Sequence, residues 1–273
     1  MISFVFFGTD EFAVGVLKQL KADDLLPTLI VTTEGKTSRR GESLVSPVEI
    51  WSKENQIPFS YDLETDSYEL FIVASYGKIL TKEILALPKY GTLNIHPSLL
   101  PKYRGATPLQ SAILNGDTET GVTIMLIDEQ MDHGPILTTA NYQISAKTSF
   151  VLLRNELARL GAQTLIKILP DYLAGKIKPA EQDHTKATYT KKVTKEMGLL
   201  NLSDSPEIND RKIRALNPNP GTYFIDENGK RIKVLKAHLE PLESGASKLV
   251  IDCVIPEGRK EMTWESYLRG IAK

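Results

Sequence analysis

The chain has 273 residues, 41% hydrophobic and 25% charged, with a single cysteine and a formal net charge of −1. That length suits two domains of ordinary size, and the composition suits a globular protein with a sizeable core. Cys253 alone cannot build a disulfide framework or a zinc site, the opening residues lack the basic start of a signal peptide, and no run approaches ~18 apolar residues, so a soluble cytoplasmic protein with no membrane span is expected.

Along the chain, strand-like and helix-like patterns alternate. Ile2–Gly8 reads as strand and is followed by Phe12, Val16, Leu17 and Leu20 at helical spacing. Thr28–Thr33 reads as strand, Val48–Gln56 as helix, Leu70–Ser75 as strand and Leu80–Leu87 as helix. Thr92–His96, Leu109–Leu114 and Val122–Ile127 continue as strand, helix and strand, and Phe150–Leu173 reads as one long amphipathic helix. This order implies an α/β, Rossmann-like domain over residues 1–180, with a mostly parallel sheet covered by helices on both faces. Ligands of such sheets bind beyond the carboxyl ends of strands. Residues 181–205 lose periodicity and read as a linker. Residues 206–273 hold the β-prone runs Thr222–Ile225, Ile232–Leu239 and Leu249–Ile255, with Asn-Gly at 228–229 as a hairpin signal. A small β-rich domain is expected there.

Charge is unevenly spread. Residues 1–185 carry 17 Lys+Arg against 22 Asp+Glu, and residues 186–273 carry 16 against 12. An acidic body with a basic tail points the tail toward an anionic partner, with a plain solvated surface as the alternative.

Three segments could carry chemistry. Gly8 is followed by Thr9, Asp10 and Glu11, which is neither a G-x-G-x-x-G fingerprint nor a Walker loop, so dinucleotide and ATP chemistry are disfavoured. In Asn94-Ile95-His96-Pro97, residues two apart on a strand share a face, so Asn94 and His96 project together while Ile95 packs inward. An amide beside an imidazole at a strand end suits the stabilisation of an oxyanion, although a lone strand-end histidine is commonly structural. Asp132, fixed by His133-Gly134-Pro135, could take a proton from an amine or orient His96. His96 and His133 fit no usual zinc spacing, and no catalytic metal is expected.

The segments FFGTDEF, SPVEIW, ASYGKIL, NIHPSLLPKYRGATP and IDEQMDHGPI resemble successive blocks of the methionyl-tRNA formyltransferase family. RKIRALNPNPGTYF and VIPEGRKEMTWESYLRG are similar to that family's C-terminal domain, so the resemblance spans nearly the whole chain. It implies a Rossmann-like catalytic domain followed by an OB-like barrel, with 10-formyltetrahydrofolate as formyl donor and the amine of methionyl-tRNA as acceptor. It places the catalytic trio on Asn94, His96 and Asp132, and folate contacts on Ser98, Leu99, Leu100 and Pro101. Tyr76 and Gly77, at another strand end, are candidate walls of an apolar slot for the pterin. The family's tRNA-entering loop falls on residues 34–42, here with Lys36, Arg39 and Arg40. Lys191, Lys192, Arg211 and Arg214 lie in the basic stretch 186–236 and are candidate tRNA contacts. Between His238 and Val250 there is room for one turn, so the barrel is abbreviated. A monomer is expected. Two other readings remain open: a sugar-nucleotide N-formyltransferase sharing the trio, and a tRNA-binding protein with a degenerate site.

Overall fold

The runs FVFFG and LFIVA form β1 (Phe4–Gly8) and β4 (Leu70–Ala74), and every residue of both is buried. Strands buried on both faces belong to a parallel sheet covered by helices, and these two pair in parallel at its middle. β2 (Leu29–Val31) and β3 (Phe59–Ser60) extend the sheet on one side. On the other side follow β5 (Thr92–His96), β6 (Glu119–Leu126) and β7 (Ile136–Gln143), giving the order β3-β2-β1-β4-β5-β6-β7. β3 through β5 run parallel, whereas β6 and β7 are antiparallel. β7 has no counterpart among the expected strands. None of its residues is fully buried, so its sequence ILTTANYQ carries no apolar run to betray it.

In this computed structural model, which describes residues 2–35, 45–63, 68–243 and 245–271, the chain divides into two compact units. The first comprises Met1–Pro108, Glu119–Gln143 and Arg154–Thr190; the second comprises Leu109–Thr118, Ile144–Leu153 and Lys191–Lys273. Residues 181–190 group with the first unit.

Helix α1 (Glu11–Ala22) is capped by Asp10, whose carboxylate accepts from the Phe12 N–H at 2.9 Å. A carboxylate already fills the N-terminus where a phosphate would bind. Pro47 opens α2 (Pro47–Glu54) behind the capping Ser46. α3 (Lys82–Leu85) is one turn, shorter than the helix expected over Leu80–Leu87. α4 (Pro108–Asn115) and then α5 (Phe150–Leu173) complete this part of the chain. α5 comes close to β5 at Gly161, where an added Cβ would strike the Ile95 Cγ2 methyl. That contact seats the strand that carries Asn94 and His96.

In the second unit α6 (Pro206–Leu216) precedes β8 (Thr222–Ile225), β9 (Arg231–Pro241), β10 (Ser247–Pro256) and β11 (Met262–Thr263), and α7 (Trp264–Ile271) ends the described chain. The strands form one antiparallel sheet in the order β11-β10-β9-β8. Leu200, Ile213, Phe224, Ile232, Val234, Val254 and Tyr267 make its core. β9 and β10 are joined by a tight turn closed by the Leu242 N–H on the Ala246 carbonyl at 2.8 Å. α6 and α7 were not expected from periodicity. α6 buries Asn209 and Asp210 beside Ile213 and Leu216, so its inward face does not read as apolar. No helix among the described residues is long and apolar enough to cross a membrane.

Candidate active site

His96 ends β5 with 5% of its surface exposed, and Ile95 before it is buried on the opposite side at 1%. The His96 Nε2 lies 3.0 Å from the Tyr103 backbone carbonyl. A carbonyl only accepts, so Nε2 carries a hydrogen and donates it. That leaves Nδ1 as the working edge of the ring, 3.4 Å from Asp132 Oδ1. Tyr103 has φ +63°, a left-handed conformation that a bulky residue seldom adopts. The segment around Thr188 holds it there: the Tyr103 N–H donates to the Thr188 hydroxyl Oγ1, the Arg104 N–H to the Thr188 carbonyl and the Thr190 N–H to the Arg104 carbonyl, each at 2.8 Å.

Asp132 arrives by a less direct route. Because β6 is antiparallel to β5, Leu126 at its end pairs with Leu93 near the start of β5. The β6–β7 loop brings Asp132 back to Asn94 and His96. Asp132 sits at φ +50° and its Oδ2 accepts the Gly105 N–H at 2.7 Å. Its Oδ1 accepts from Asn94 Nδ2 at 3.5 Å and faces the His96 ring. At Gly134 a Cβ would strike the Leu126 carbonyl, so glycine lets the loop lie tight against β6. Asn94, His96 and Asp132 thus converge on one place. An amide donor, an imidazole edge and a carboxylate are the groups that acyl transfer to an amine requires. Contacts of 3.4–3.5 Å are of the kind that tighten when a substrate completes a site.

The other residues singled out fall in different places. Ser98 is fully buried, its hydroxyl donating to the Lys102 carbonyl at 2.6 Å, and Leu100 is 6% exposed. Leu99 and Pro101 are half-buried, so they are the members of this segment with side chains open to a ligand. The Tyr76 ring lies in the core and packs edge-on against Phe7, with centroids 5.3 Å apart. Burial there pushes the Tyr76 hydroxyl above its ordinary pKa. Gly77 sits beside open space at φ +79°. His133 pairs with Asp128 through Nδ1 at 2.6 Å. Among the described residues no group of three or more His, Cys, Asp and Glu side chains could hold a metal.

Of the basic candidates, Lys191 and Lys192 are exposed. Arg211 donates to the backbone carbonyls of Glu207 and Asn115. Arg214 pairs within its own unit, its Nε 2.7 Å from Asp210 Oδ2 and its Nη1 2.9 Å from the Thr148 carbonyl. Lys36, Arg39 and Arg40 lie outside the described residues. Sequence reasoning missed the Tyr103 carbonyl and the Gly105 N–H, which are backbone groups with no signature of their own beyond the Tyr-Arg-Gly run.

Residues 5–169 match the formyl transferase family model and residues 192–248 match the model of the formyl transferase C-terminal domain. The methionyl-tRNA formyltransferase of Carboxydothermus hydrogenoformans is 37% identical over 97% of this chain and 96% of its own length. That of Caldanaerobacter subterraneus is 38% identical over the same shares. The chain belongs to the formyl transferase family, in its methionyl-tRNA formyltransferase branch. Among solved structures, the sugar 3N-formyl transferase WlaRD, crystallised in the presence of dTDP and 5-N-formyl-THF, superposes with a TM-score of 0.68 at 20% identity, over 95% of this chain and 99% of that one. The N-formyltransferase of Helicobacter canadensis, in complex with folinic acid and dTDP-3-aminofucose, gives 0.67 at 19% identity over 92% and 99%. At such identity these two share the fold.

Proposed function

We propose that this protein, acting as a cytoplasmic monomer, transfers the formyl group of 10-formyltetrahydrofolate to the α-amino group of methionyl-tRNA. The observation that carries this reading is the convergence of Asn94, His96 and Asp132 in a chain similar to methionyl-tRNA formyltransferases along its whole length. The neutral amine attacks the formyl carbon, and a tetrahedral centre forms with negative charge on the formyl oxygen. The Asn94 amide donates to that oxygen, as does His96 through Nδ1 when the ring is protonated; a well-placed donor of this kind contributes about 3–4 kcal/mol. Asp132 balances the ring's charge and receives the proton that the amine gives up. The bond from the formyl carbon to N10 of the folate then breaks, N10 takes a proton, and tetrahydrofolate and N-formylmethionyl-tRNA leave.

Leu99 and Pro101 are assigned to the folate, and catalysis to the first unit. The basic residues after 190, Lys191 and Lys192 among them, are assigned to tRNA together with the β-rich residues 206–273. The competing substrate class is an amino-sugar nucleotide. Formyl transfer measured side by side on methionyl-tRNA and on dTDP-amino sugars tests the choice. Turnover on methionyl-tRNA is expected, and turnover confined to the sugar nucleotides would overturn it.

A further inference from the structure

Arg104 is only 2% exposed, and among the described residues no carboxylate pairs with it. A guanidinium keeps its charge and has only donors to offer, and burying one without a counter-charge is costly. Its shortest side-chain bond runs from Nη2 to Gln182 Oε1 at 2.6 Å. The other end of that amide donates twice, to the Asp132 carbonyl at 2.9 Å and to the Gly134 carbonyl at 2.7 Å. The orientation of Gln182 is forced, because a flip would set its NH2 against the guanidinium and its oxygen against two carbonyls. The peptide units so gripped directly follow the left-handed Asp132, whose conformation persists in a non-glycine residue only where surroundings hold it.

We propose that Gln182, oriented by the buried Arg104, is the positioning residue that holds the Asp132 carboxylate against Asn94 and His96. The inference rests on the role given to Asp132 above, and it adds a residue fifty positions away that touches no reacting atom. Displacing a catalytic group by about 1 Å costs on the order of a hundredfold in rate, so the grip of one amide on the loop is sufficient to govern turnover.

Gln182→Glu separates the two ends of the clamp. It keeps the size of the side chain and gives Arg104 a counter-charge, but it cannot donate to the loop carbonyls. Gln182→Met keeps the volume and removes both ties. Each variant is to be assayed with methionyl-tRNA for kcat, for KM of both substrates and for Tm, alone and combined with Asp132→Asn, which leaves the left-handed backbone tolerated. We expect kcat to fall ~10–100-fold in both single variants with KM little changed, and no further loss when either is added to Asp132→Asn. Wild-type kcat in the Gln182 variants, a loss that multiplies with that of Asp132→Asn, or a collapse of Tm in place of kcat would each overturn the proposal and leave Gln182 a structural strut. If Asp132→Asn itself turned over at the wild-type rate, the reading of the site would fail first and separately.

Discussion

The imidazole of His96 shows how a backbone group can decide what a side chain does. Its Nε2–H is given to the Tyr103 carbonyl, so the edge presented to Asn94 and Asp132 is Nδ1 alone. A bond made through that edge to a developing oxyanion matters in the transition state far more than in the ground state. His96→Ala should therefore lower kcat about a hundredfold or more while leaving KM for the folate near the wild-type value. Unchanged turnover in that variant would return His96 to a purely structural part. The same scale separates Arg214 from its basic neighbours. Its pairing with Asp210, at i,i+4 on α6 and largely buried, makes it a stabilising residue. Arg214→Gln is expected to strand the Asp210 carboxylate and to show itself as a lower Tm.

At the scale of elements, β5 is held where α5 presses on it. Gly161→Ala would drive a methyl into Ile95 Cγ2, on a β-branched side chain that cannot swing aside. Overpacking of this kind costs about 1–3 kcal/mol, against about 1 kcal/mol that alanine gains over glycine inside a helix. The balance is a net loss of Tm, accompanied by a fall in kcat because Ile95 lies between Asn94 and His96. A raised Tm would mean that α5 yields more easily than β5.

A second element-scale test uses pH. His238 on β9 is bonded through Nδ1 to Asp252 on β10 at 2.9 Å, and that bond, opposed by burial and helped by Glu240, raises its pKa above the ordinary value. A raised folded pKa contributes stability that is fully present below the unfolded value of about 6.5 and is lost as pH rises through the folded value. The Tm gap between wild type and His238→Gln should be open in mildly acidic buffer and closed in alkaline buffer. A gap that widened with rising pH would refute the pairing.

How legible these elements were depended on where their information lies. The buried runs of β1 and β4 and the in-phase Asn94 and His96 are local patterns of period two or of continuous apolarity, and they read directly from the chain. β7 and α6 do not, since one has no buried residue and the other buries polar ones. The surroundings of Asp132 were hidden for a different reason. Gln182 and the Tyr103 carbonyl meet the site through tertiary folding, across separations that no periodicity records.

On the scale of the whole molecule, the excess of acid before residue 186 and of base after it becomes a statement about partners. Lysines that reach phosphates displace condensed counterions, so on the proposed assignment of Lys192 to tRNA the affinity should fall linearly on a logarithmic salt scale, with a slope of about −0.9 per contact on duplex. Lys192→Ala should make that slope shallower by about one contact and weaken binding across all tRNAs alike. Arg214→Gln, whose guanidinium is spent on Asp210, should leave the slope where it was in protein kept below its Tm. The measurement is tRNA affinity titrated against salt for wild type and both variants. An affinity indifferent to salt in the wild type would take the tRNA away from the basic stretch after residue 190. The amino-sugar nucleotides, whose single diphosphate needs no such track, would then become the better acceptor.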